Sequence, residues 1–111
     1  MRIVNREQFL LLPANTLFSK YKPMVFGDIA IKGDTTASGG DYYYQAIADA
    51  VYCASTDEMV KVLVAATAHG HEFNIDLECE SRDGFYDADQ LFAVWDKRDV
   101  EQLINRLKSC L

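Results

Sequence analysis

Three carboxylates at alternate positions, Asp76, Glu78 and Glu80, are the residues of this sequence best spaced for chemistry. Around them Phe73, Ile75, Leu77 and Cys79 alternate with Glu72, Asn74, Asp76, Glu78 and Glu80. A period of two predicts a strand over 72–80, with the apolar set on the core and the acidic set in water. Side chains two residues apart on a strand stand about 7 Å apart. Carboxylates so spaced could act as the acid–base pair of a glycosidase or begin an oxygen shell for a divalent metal. Both need a cleft, and a regular strand face is flat. The following DGFYDAD run adds Asp83, Asp87 and Asp89 but lacks EF-hand spacing around its glycine. The expectation is therefore no catalytic residue, no metal and no cofactor. The carboxylates form a solvated face or a protein-docking one. In the second case they mimic a line of phosphates and draw in a basic cleft, in a salt-dependent way.

The other reactive types are less organised. His69 and His71 flank Gly70, which sets them across a helix-to-strand turn where they need not converge. A small enzyme, or a ligand- or metal-binding domain, using His71 with the acidic strand is the alternative from another class. Cys53, Cys79 and Cys110 form no CxxC pair and read as reduced thiols, Cys53 and Cys79 as small core residues. Tyr42, Tyr43 and Tyr44 are consecutive, so in a strand the middle ring opposes its neighbours and Tyr43 becomes a candidate contact for a partner. No Walker loop, GxGxxG, GxSxG or HExxH motif occurs.

The elements that must hold these residues follow from pattern. Asn5 and Gln8 have capping-box spacing ahead of a short helix that Pro13 ends. Residues 15–21 and 24–32 read as a hairpin, with Gly27 marking a bulge or close backbone approach. Residues 33–41 read as an exposed loop, and 41–48 as a third strand. Ser55, Glu58 and Gly70 bracket a helix over 56–69 with Met59, Val62, Leu63 and Ala66 on one stripe. A return strand at 90–95 completes an acidic hairpin. The last helix, 97–110, sets Val100, Leu103, Ile104, Leu107 and Leu111 against the sheet. The expected fold is α+β over a single domain, 1–111. It has a mostly antiparallel sheet of about five strands, two longer helices and one short N-terminal helix.

The charge is unevenly spread. Of the net −6, residues 1–55 contribute nothing, with five acids and five bases. Residues 72–89 hold seven acids against Arg82 alone, which equals the whole net charge. Direct binding to a nucleic acid backbone is disfavoured, because it needs a basic face. No apolar run approaches the about 18 residues of a membrane span, and the FLLL stretch before Pro13 is short for a signal peptide, so a cytoplasmic protein is expected.

REQFLLLPANTLFSKYKP, FGDIAIKGDT and DADQLFAVWDKRDVEQLINRL together resemble small uncharacterised proteins of tailed bacteriophages and prophages. The resemblance implies a bacterial host cytoplasm and an accessory role against a host protein, such as an inhibitor of host defence. The lead expectation is a non-enzymatic binding protein. It uses Asp76, Glu78, Glu80, Asp83, Asp87, Asp89 and Tyr43 to meet a host protein with a basic surface. A homodimeric structural protein is a third expectation.

Overall fold

A computed structural model describes residues 1–111. Its elements are β1 (Arg2–Val4), α1 (Arg6–Leu10), β2 (Thr16–Lys22), β3 (Val25–Thr35), β4 (Tyr42–Ala46), α2 (Thr56–His69), β5 (Ser81–Arg82), β6 (Leu91–Val94) and α3 (Lys97–Lys108). The strands form one antiparallel sheet in the order β1-β6-β2-β3-β4-β5. The fold is α+β as the patterns indicate, with six strands rather than five. Two were not expected, β1 and β5, whose three and two residues are too few to show a period, and one expected strand is absent.

Local signals set the helix ends. Asn5 Oδ1 accepts from Gln8 N at 2.8 Å while Gln8 Oε1 accepts from Asn5 N at 3.0 Å, closing the box that starts α1. Five residues would not hold a helix alone. Phe9 anchors it: fully buried, its ring stacks on Phe92 at 3.9 Å and meets Phe18 and Tyr42 at 4.7 and 5.0 Å. Burying such a ring contributes roughly 2 kcal/mol. Ser55 caps α2 by accepting from Glu58 N, and Gly70 ends it at φ 66°, where a side chain would be strained. Asp96 and Asp99 form the box that starts α3.

The β2–β3 hairpin turns at Pro23–Met24. Its register shifts between Ser19 and Tyr21, and Gly27 lies opposite the shift, where an added Cβ would stand 3.1 Å from the Lys20 carbonyl oxygen. Cross-strand pairing sets Phe18, Ala30 and Val94 on one face, under Phe9. Lys32 points the same way and is buried without a carboxylate. Its Nζ donates to Gly33 O and Thr35 Oγ1, both at 3.0 Å, and lies 5.8 Å from the Phe9 ring centroid. Burial lowers its pKa, with Asp34 opposing.

Five expectations are corrected. The strand over 72–80 does not form: only Ile75 bridges, to Val51, and Phe73, Ile75 and Leu77 are exposed. Its intended return strand is taken instead into the sheet between β1 and β2, so no acidic hairpin exists. The loop at 33–41 is shorter, because β3 runs to Thr35, and Asp41 at its end is fully buried. Cys79 is exposed rather than core; Cys110 is also exposed and Cys53 half-buried. Finally, α2 and α3 contain no buried residue, so their apolar stripes are only half-covered. No helix is long and apolar enough to cross a membrane.

Candidate functional site

Residues 72–89 form an irregular lobe along the β4 side of the sheet, fastened at three points. The first is backbone pairing: Asp76 N donates to Ala50 O at 2.7 Å and Tyr52 N to Asn74 O at 2.8 Å. The second is Gln45, nearly buried in β4. Its amide donates to Asp76 O at 3.1 Å and accepts from Cys79 N at 2.6 Å. Asp76 itself accepts from Glu78 N at 2.9 Å, a local turn that competes with extended backbone. These bonds explain why alternation at 72–80 does not produce a strand. A buried amide has to be satisfied, and it captures the segment in a bent path.

The third point is a buried charge cluster. Asp83 is 8% exposed and accepts from Lys20 Nζ at 2.7 Å, Tyr42 OH at 3.1 Å and Phe85 N at 3.3 Å, with Arg6 at 3.8 Å. Asp41 accepts from Arg82 Nε at 2.7 Å and Gly84 N at 3.0 Å, with Arg6 at 3.6 Å. Gly84 has φ 72°, so a glycine is needed where its amide turns toward Asp41. Burial pushes the Asp41 carboxyl up, but Arg82 and the Tyr42 and Gly84 amides outweigh it and hold it below the usual range. Burial and then Asp83 push the Tyr42 phenol well above its ordinary value, so it remains a donor. Arg82 also donates to the Tyr86 hydroxyl.

This cluster sorts the acids. Asp83 belongs to the anchor and is withdrawn from any surface. Glu72, Glu78, Glu80, Asp87 and Asp89 are exposed and Asp76 is half-buried, and none of the six forms a salt bridge. Beside them Phe85 is 76% exposed, Tyr86 55% and Ile75 64%. Lys20 Nζ lies 4.7 Å from the Phe85 ring centroid and Arg82 flanks Tyr86, which props both rings outward. Tyr43 is exposed and pairs with Arg82 across β4–β5, at the edge of the same lobe; Tyr42 is core and Tyr44 half-buried.

Two other places were tested for chemistry. An open cleft of 280 Å³ lies beside the anchor, over Phe18, Ala30, Tyr42 and Tyr44. Its charged side chains are Lys20 and Asp83, which pair within the anchor, and Asp28 and Asp49, which form no ion pair. The His69 and His71 rings are 5.7 Å apart at the exposed end of α2, and no three His, Cys, Asp or Glu side chains are grouped to hold a metal ion.

Sequence reading missed Arg6, Lys20, Asp41, Tyr42, Gln45 and Arg82, the residues that hold the lobe. The one usable signal was Asp83-Gly84, a turn pair whose glycine takes positive φ. Compared with known proteins, the chain matches no family model, no curated sequence and no solved structure. The functional reading therefore stands on geometry.

Proposed function

We propose that this chain is a non-catalytic binding protein that docks the lobe 72–89 onto a basic surface of another protein. The observation that carries this is the pairing of unneutralised carboxylates with outward-facing Phe85 and Tyr86 on a lobe anchored by buried bonds. Aromatic rings supply most of the binding energy in protein interfaces, and charges supply rate and selectivity. Anchoring lowers the ordering cost of association. In the bacteriophage setting that the sequence resemblance implies, the partner is a host defence or nucleic-acid-handling protein. Its phosphate-binding cleft would accept Glu72, Glu78, Glu80, Asp87 and Asp89 in place of a nucleic acid backbone.

The test is affinity capture from bacterial lysate with three baits: the natural chain, Phe85→Ala/Tyr86→Ala, and a variant with Glu78→Gln, Glu80→Gln and Asp87→Asn. The natural chain is expected to retain one partner at low salt and release it as salt rises, since screening weakens exposed charge pairs. Both variants are expected to lose it while keeping the native circular dichroism spectrum. Recovery of the same partner by both variants overturns the proposal, as does failure of the natural chain to retain any.

A further inference from the structure

The molecule exposes more surface than its mass accounts for. Its solvent-accessible area is 8114 Å². A compact monomer of 12.5 kDa exposes about 6,200 Å². The radius of gyration is 15.8 Å, against about 13 Å for a compact chain of this length. The surplus, roughly 1,900 Å², exceeds the about 800 Å² that each partner gives to a standard interface and falls within the range of stable homodimers. Part of it belongs to the lobe. The rest includes α3, whose apolar stripe is only half-covered.

We propose that α3 packs against α3 of a second copy, antiparallel about a two-fold axis. Val100 and Leu103 are half-covered by the chain, but Ile104 is 48% exposed, Leu107 54%, and Leu111 fully. An amphipathic helix with its apolar face open is stable once another apolar face covers it. The charges select a second copy as the occupant. Asp96 and Asp99 are engaged by the N-terminal amine at 3.3 and 2.6 Å, and Glu101 lies 3.9 Å from the exposed Lys97 with its own carboxylate still open to water. Arg106 and Lys108 form no ion pair. An axis passing between Leu103 and Ile104 sets Val100 level with the other copy's Leu107, and brings Glu101 to the same flank as its Lys108, offset by about 3 Å along the helix. Each contact then occurs twice, as an isologous interface requires. Antiparallel pairing also sets opposite ends of the helix dipoles side by side. The lobe is not used, so this interface can form whether or not the lobe docks on a partner.

The test is sedimentation velocity of the purified full chain from low to high micromolar concentration, with reductant to keep Cys79 and Cys110 as thiols. The natural chain is expected to sediment as a dimer that dissociates on dilution. Leu107→Asp is expected to be monomeric with unchanged circular dichroism, since Leu107 is half-exposed in the monomer. Glu101→Arg is expected to weaken the dimer at least tenfold, and Glu101→Arg/Lys108→Glu to restore it. A monomer at every concentration overturns the proposal. So does a dimer indifferent to Leu107→Asp, or a swap that fails to restore what Glu101→Arg loses. None of these readouts involves the lobe's partner, so this proposal and the docking proposal fail separately.

Discussion

Asp41 and Asp83 show how one residue type serves two ends of a site. Five acids of the lobe stand in water, whereas these two are buried among Arg6, Lys20 and Arg82 and fasten the lobe to the sheet. Asp41→Asn removes the Arg82 pair and leaves Arg6 short of a partner. The expected cost is about 3 kcal/mol in urea unfolding at neutral pH, at the low end for breaking a buried pair because Arg82 is half-exposed. The pH sign follows from the folded pKa, which lies below that of the unfolded chain. The stabilisation is complete above the ordinary carboxylate range and is lost as pH falls through the folded value. Asp41→Asn should flatten that acid limb. Lys32 shares that pH sign, stability rising with pH, but at neutral pH it contributes a cost and not a gain. Its folded pKa is lowered by burial, so its cost is present at neutral pH and eases as pH rises through the folded value toward the ordinary lysine range. Lys32→Met, of similar length and without charge, is expected to be neutral or to stabilise by about 1 kcal/mol in the same urea titration. A loss of several kcal/mol would mean that the Nζ bonds to Gly33 and Thr35 outweigh the burial of charge.

Elements were legible in the sequence where their signals are local. The capping residues Asn5, Gln8, Ser55, Asp96 and Asp99, with Gly70 as a stop, lie within a few residues of the ends they set, and the helices begin and end there. The β2–β3 hairpin and the bulge opposite Gly27 follow from equally short patterns. The lobe was not legible, because its path is set from far away. Gln45 bonds to Asp76 and Cys79 across more than thirty positions, and Asp41 reaches Arg82 and Gly84 across more than forty. Strict alternation at 72–80 is a local pattern that such bonds override. The charge asymmetry is carried by the lobe, where Asp83 belongs to the anchor and Phe85 and Tyr86 stand exposed beside the remaining acids. Gln45→Ala tests the anchoring directly. It removes both bonds to the lobe, worth about 2 kcal/mol together, along with the amide's bond to Ala46 O. Amide exchange at Asp76 and Cys79 is expected to quicken roughly thirtyfold, while the amides of β2 and β6 keep their protection. Equal quickening across the sheet would show that Gln45 serves global stability and not the lobe.

At the scale of the whole molecule, charge and apolar surface are divided between different places. The first 55 residues are neutral and form most of the sheet, the lobe carries a charge equal to the net −6, and α3 has an open apolar stripe. The two proposals use that division separately, the lobe for a basic partner and α3 for a second copy. A dimer built on α3 would present two lobes, and a partner with two basic sites would bind it more tightly than a single lobe binds one site. The most direct measurement is a hydrogen-exchange footprint of the captured complex against the free protein. Docking through the lobe predicts new protection over residues 72–89, reaching Tyr43, with the exposed faces of β2 and β3 unchanged. Protection confined to the cleft over Phe18 and Tyr44, or to α2, with the lobe exchanging as in the free protein, contradicts it.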